Sequence, residues 1–163
     1  MTEGYDPDSD PDPVLAQEKV AALRSLLFLD AVVVGPTVSR EIEHTANPGF
    51  RQRLTSVRDS LLVELVNLDA TAVATRAAVL SQFHPGDRNV RDCLVVAEAV
   101  MGGLAVLLTF DGNLKKRLDG RTGPLRLLAP SEYWRQLSIP RGQPPRWLPE
   151  KTHPLSRATW WRW

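Results

Sequence analysis

Apolar residues at positions 15, 20, 23, 26 and 27 follow Asp12-Pro13 at helical spacing, and an acidic N-cap before a proline at the first helical position predicts a helix running to Phe28. The next apolar stretch, AVVVG (31–35), is continuous and β-branched, the pattern of a strand buried on both faces of a parallel sheet. Pro36 ends it, and a helix is predicted from Val38 to His44. Asn47-Pro48-Gly49 reads as a turn, Phe50 to Leu62 as a further helix, Val63 to Leu68 as a strand, and Asp69 as the cap of a helix reaching Phe83. Pro85-Gly86-Asp87 breaks the chain before a helix from Arg88 to Met101 and a strand from Leu104 to Phe110. A short basic helix (Leu114 to Leu118), a turn at Thr122-Gly123-Pro124, the strand LRLLA (125–129) and a helix from Ser131 complete the pattern. Strands alternating with helices predict an α/β fold, a three-layer α/β/α arrangement around a parallel sheet.

One consequence of this pattern is chemical. The helix 88–101 is roughly 21 Å long and the strand 104–110 roughly 23 Å, so after the Gly102-Gly103 turn the strand retraces the helix. Asp92, near the helix start, is thereby returned to Asp111, just past the strand. Glu41, on the helix after strand 31–35, projects from the end of another strand and converges with them if the strands are parallel. Carboxylates about 4 Å apart repel by roughly 4 kcal/mol per pair at an effective dielectric near 20. Such a group calls for a cation, and a hard divalent ion, Mg²⁺ or Mn²⁺, suits oxygen ligands.

Composition narrows the class. With 163 residues, 43% of them hydrophobic, the chain can bury one sizeable core, so one domain with tails is expected. Its single cysteine, Cys93, lies in an apolar helix and reads as a small buried hydrophobe. No leader pattern and no apolar run of about 18 residues is visible, so a cytoplasmic location without membrane association is expected. The net charge of +1 conceals an asymmetry: residues 1–13 hold five acids and no base, residues 134–163 six bases and one acid. The acidic, proline-rich start reads as a solvated tail. The end interleaves Trp147, Trp160, Trp161 and Trp163 with Arg146, Arg157 and Arg162, a pattern suited to stacking on single-stranded nucleic acid or to packing against its own domain or a partner.

The segments VGPTVSREI, RDCLVVAEAVMGG, AVLLTFD and LRLLAPSEYW resemble the later motifs of PIN domains, metal-dependent ribonucleases found among bacterial toxins and RNA-processing enzymes. The resemblance covers residues 14–137 and leaves 1–13 and 138–163 as tails. It matches Glu41 in Val-x-x-Glu-Ile, Asp92 in Asp-x-x-x-x-Ala-x-Ala and Asp111 in Thr-Phe-Asp to the family's second, third and fourth acids. It implies a Mg²⁺- or Mn²⁺-dependent endoribonuclease, with these three residues as catalytic metal ligands and RNA as substrate. An antitoxin-like protein partner and a homodimer stay open. The family's first strand, which lies mid-sheet and ends in its first acid, has no counterpart before Val14, and Asp30 stands at the wrong end of its strand. The expectation is a chain that starts late, with an apolar run ending in Asp encoded upstream. On that account this chain would bind Mn²⁺ weakly and cleave RNA poorly. The alternative is a catalytically silent PIN-like module that binds RNA or protein.

Each residue also has a plainer reading. Asp92 and Asp111 could be a helix-start charge and a loop acid, and Glu41 and Glu43 a solvated helix face. Glu98 falls roughly 120° around the helix from Asp92. Asp87 suits an N-cap. Thr109 suits either a metal-bound water or a core edge. His44, His84 and His153 share no ligand spacing and are expected at the surface. Lys115, Lys116, Arg117 and Arg121 form either a solvated face or a phosphate-steering group beside Asp111.

Overall fold

A computed structural model describes residues 7, 10–29, 31–148, 156 and 159–163. Most of the acidic start, Asp30, His153 and Arg157 lie outside the described residues. The chain is mixed helix and strand, and it divides into two compact units, Met1–Val32 with Ala129–Trp163, and Val33–Leu128.

In the larger unit the core is a helix pair backed by short strands. Helix α4 (Ala70–Ser81) is capped by Asp69, whose carboxylate accepts from Thr71 N–H at 2.8 Å and Ala72 N–H at 3.2 Å. Its Val73, Ala77 and Leu80 pack with Cys93, Val96, Ala97 and Ala99 of helix α5 (Val90–Met101), and Leu114, Leu118, Leu125 and Leu127 complete the cluster. Small residues on α5 let the two backbones approach closely. The other helices of this unit are α2 (Pro36–Glu43), α3 (Pro48–Leu61) and α6 (Gly112–Leu118).

The strands differ from expectation in length and pairing. β1 (Val32–Val34), β2 (Leu62–Glu64), β3 (Val106–Leu108) and β4 (Arg126–Leu128) have three residues each. Among the described residues they form two separate two-stranded sheets, β1 with β2 and β3 with β4, in place of a single sheet. The β3–β4 ladder is parallel, with Val106, Leu107 and Leu108 opposite Arg126, Leu127 and Leu128. The expected Asn-Pro-Gly turn is instead the start of α3, because the Asn47 side chain accepts from Phe50 N–H at 2.9 Å and Pro48 fills the first helical position.

In the smaller unit, helix α1 (Pro13–Phe28) starts at Asp12, whose carboxylate accepts from Val14 N–H and Leu15 N–H. It packs against α7 (Pro130–Gln136), and the Glu18 carboxylate accepts from both Ser131 N–H (2.9 Å) and Ser131 Oγ (2.5 Å). The aromatic C-terminus closes over this pair. Trp161 is 2% exposed, Phe28 and Trp134 meet edge to face at 5.2 Å, and Trp134 and Trp163 do so at 5.5 Å. The Arg24 guanidinium donates to the carbonyls of Trp160, Trp161 and Arg162 and stands 4.8 Å from the Trp163 ring. Packing within its own unit is thus the arrangement these tryptophans adopt. No helix among the described residues is long and apolar enough to cross a membrane.

Candidate metal centre

Asp92 owes its position to the start of α5. After Pro85-Gly86, a 3₁₀ turn over Asp87–Asn89 leads into the helix, so that Asp92 falls in its first turn with the side chain 42% exposed. Asn89, not Asp87, occupies the N-cap position of α5, contrary to the sequence expectation. At the other end Gly103 adopts φ +67°, a left-handed conformation that suits glycine, and the chain turns back through Leu104, whose N–H donates to the Ala99 carbonyl at 3.0 Å. β3 then carries the chain to Asp111. There the backbone is held by Thr109, whose hydroxyl oxygen accepts from Asp111 N–H at 3.0 Å, so Thr109 has a local structural partner.

Asp111 itself caps α6. Its Oδ1 accepts from Asn113 N–H at 2.7 Å and Leu114 N–H at 3.0 Å, and Oδ2 makes neither of these bonds. The plainer reading of Asp111 as a loop acid thus gives way to a helix cap, and that role occupies one oxygen of two.

The third member of the group is a residue the sequence reading put at the surface. His84 is 3% exposed. Its backbone continues the last turn of α4, with His84 N–H donating to the Leu80 carbonyl at 3.1 Å. Its ring is carried inward, and neither Nδ1 nor Nε2 has a hydrogen-bond partner. Nε2 lies 3.8 Å from Asp92 Oδ2, beyond hydrogen-bonding distance. A buried polar group without a partner costs about 1–3 kcal/mol, so this ring is an exception that calls for an explanation. A signal for it exists in the sequence: 73, 77, 80 and 84 share one helical face, and the first three are apolar core positions.

His84, Asp92 and Asp111 each offer one ligand atom, and the three atoms lie within 4.8 Å of one another. Glu41 is not one of this group. It is exposed on α2, with Oε1 3.9 Å from Arg91 Nη1, a loose surface pair. The structure therefore brings together Asp92 and Asp111 and leaves Glu41 apart.

Glu98, on the same helix as Asp92, has a different task. It is 4% exposed, and its carboxylate accepts from Thr37 N–H at 3.1 Å and from Thr37 Oγ at 2.6 Å. Gly35, at the N-cap position of α2, has no side chain to offer, so Glu98 caps that helix from α5. A Cβ on Gly35 would come within 2.5 Å of Glu98 Oε2, which explains why the cap position is a glycine. Cys93 is 1% exposed, and burial first, the Asp92 charge second, push its thiol pKa up, so it is an inert apolar filler beside the group. On α6, the helix that Asp111 caps, Lys116 and Arg117 are exposed, and the Arg121 guanidinium stacks on the Phe83 ring at 4.0 Å.

Two carboxylates and an imidazole are a donor set for a divalent cation: acids supply charge, and imidazole supplies a nitrogen lone pair. No protein-family model, no curated protein and no solved structure matches the chain.

Proposed function

We propose that this protein is a metal-dependent endoribonuclease of PIN-like type, in which Asp92 and Asp111 hold a Mg²⁺ or Mn²⁺ ion at the end of β3. The observation that carries the reading is the approach of these two acids, 19 positions apart in sequence, to within 4.8 Å in a group with an unpartnered buried imidazole. A bound metal would supply a Lewis acid and an activated water for phosphodiester hydrolysis. The chain's own residues do the rest. Asp92 and Asp111 hold the ion, Asp111 is oriented by its bonds to Asn113 and Leu114 N–H, and Lys116 and Arg117 draw the RNA backbone towards the acids. The parallel β3–β4 ladder, with Asp111 beyond its carboxyl end, agrees with ligand placement in open α/β sheets.

The test is cleavage of a labelled single-stranded RNA by the full chain with Mn²⁺, with Mg²⁺ and with excess chelator. Cleavage that needs metal and is lost in an Asp92→Asn, Asp111→Asn variant supports the reading. Metal-independent cleavage, or none with any ion, overturns it.

A second reading, a catalytically silent PIN-like module that binds RNA or an antitoxin-like protein, is favoured by one observation: Glu41 faces Arg91 and not the other two acids. It requires RNA or protein binding that persists unchanged in the double variant.

A further inference from the structure

We infer that His84 is the third protein ligand of this centre, and that the resulting set of one nitrogen and two carboxylates selects a first-row transition ion, Mn²⁺ or Co²⁺, over Mg²⁺. The inference rests on the reading of Asp92 and Asp111 as metal ligands but concerns the nature of the ion, not the reaction. Three observations carry it. The His84 ring is buried at 3% exposure, so bulk water does not satisfy its nitrogens. Both ring nitrogens lack any hydrogen-bond partner, which is unusual for a buried imidazole and leaves a lone pair free to coordinate. Nε2 faces the half-exposed Asp92 at 3.8 Å, too far for a hydrogen bond and close to the separation that an ion imposes. Bonds of about 2.1 Å to a shared ion place neighbouring ligand atoms roughly 3.0–3.4 Å apart, so a shift of about 0.4–0.8 Å brings this pair onto a metal, and the group as a whole contracts from its 4.8 Å span.

The consequence for selectivity follows from ligand chemistry. Mg²⁺ prefers oxygen donors and retains its waters, whereas imidazole favours transition ions, in the order Mn²⁺ below Co²⁺. A site with oxygen donors alone would discriminate weakly among these ions. With His84 in the set, affinity should rise from Mg²⁺ through Mn²⁺ to Co²⁺. Cys93 is not one of the group: it is 1% exposed, and its thiol lies 4.0 Å from the His84 carbonyl oxygen.

The chain contains three histidines, which permits an assignment by subtraction. A His44→Gln, His153→Gln variant of the full chain retains His84 as its one imidazole, and electron spin-echo spectroscopy of its bound Mn²⁺ detects a coordinated ¹⁴N directly. The expected result is imidazole ¹⁴N modulation in this variant and in the unaltered chain, and its absence in His84→Gln. Calorimetry should show that His84→Gln weakens Co²⁺ and Mn²⁺ by about tenfold or more while changing Mg²⁺ much less. If His84→Gln fails to fold, the double-histidine variant decides alone. Bound Mn²⁺ that is weakened by Asp92→Asn but shows no ¹⁴N modulation overturns the role of His84 and leaves the acid pair as a metal site. Modulation without any RNA cleavage upholds the ligand and removes the ribonuclease reading. No Mn²⁺ or Co²⁺ binding at all removes both.

Discussion

Arg24 and His84 are both polar side chains withdrawn into an apolar setting, one in each unit, and they are treated in opposite ways. Burial lowers the Arg24 pKa, yet its guanidinium finds three backbone carbonyls and an aromatic face, so its charge is compensated. His84 is more deeply buried and has no hydrogen bond at either nitrogen. A satisfied polar group explains itself as structure: Arg24 clamps the C-terminus onto α1. An unsatisfied one, beside two acids, has no such structural account, and it is the arrangement on which the proposed metal centre rests. The same contrast recurs along α5, where Glu98 is buried and fully engaged by Thr37, while Asp92 is half exposed and meets only the distant His84 nitrogen.

The contrast can be broken first in the smaller unit. Trp161→Ala removes the largest fully buried side chain of the aromatic cluster and should cost about 3–5 kcal/mol of stability, measured by denaturant unfolding. Because Arg24 and its tryptophans are structural, truncation after Ser138 should destabilise the chain without altering the salt dependence of RNA binding. A salt slope reduced by truncation would mean that the tail contacts phosphates.

The next effect belongs to the acid pair. Asp92→Asn with Asp111→Asn should lower Mn²⁺ affinity at least about 100-fold by calorimetry, since even outer-shell changes cost 10–100-fold. Folding should survive, because asparagine caps a helix as well as aspartate does and α6 keeps its cap. Equal heats of binding for the variant and the unaltered chain would dissociate these acids from metal.

Glu98→Ala sharpens the comparison along α5. It strands the Thr37 N–H and hydroxyl, and the cost should be about 2 kcal/mol in thermal unfolding, with metal affinity of the folded protein unchanged. A selective loss of metal affinity at unchanged stability would instead move Glu98 into the centre.

Much of the local structure was written in the sequence and little of the tertiary arrangement. Asp12, Asp69 and Pro13 announced α1 and α4, because caps act within four residues of themselves. The pairing of Asp92 with Asp111 was legible too, since both lie on one helix-turn-strand excursion whose lengths nearly cancel. Asn47-Pro48-Gly49 misled because the same residues that make a turn also start a helix, and the outcome depended on Asn47 reaching Phe50 N–H. The division of the strands into two pairs was not legible, since pairing is fixed by partners distant in sequence. Glu98 shows the same limit: its donor is 61 positions away. Glu41 lay on the predicted helix but its direction, towards Arg91, depended on how α2 packs on α5. His84 was misjudged for a different reason, because its place after Phe83 and before a proline suggested a loop, although the apolar face of α4 continues to it.

The smallest effect tests whether Cys93, next to Asp92 in sequence, is outside the centre. Its thiol pKa is raised by burial and secondarily by the Asp92 charge, so the folded state holds the proton more tightly than the unfolded state. The resulting stability is fully present below the unfolded thiol pKa, about 8.5, and is lost as pH rises towards the higher folded value, because only the unfolded chain gains by ionising. Relative to Cys93→Ala, the unaltered chain should therefore lose stability as pH rises above about 8.5, a difference small enough to require paired denaturation curves. In the native state alkylation should be slow and limited by opening of α5, and Co²⁺ should bind without a thiolate charge-transfer band. A thiol that alkylates rapidly at neutral pH and is protected by Co²⁺ would be a ligand, which would turn the nitrogen-and-oxygen centre into a sulfur site and reverse the metal preference inferred for it.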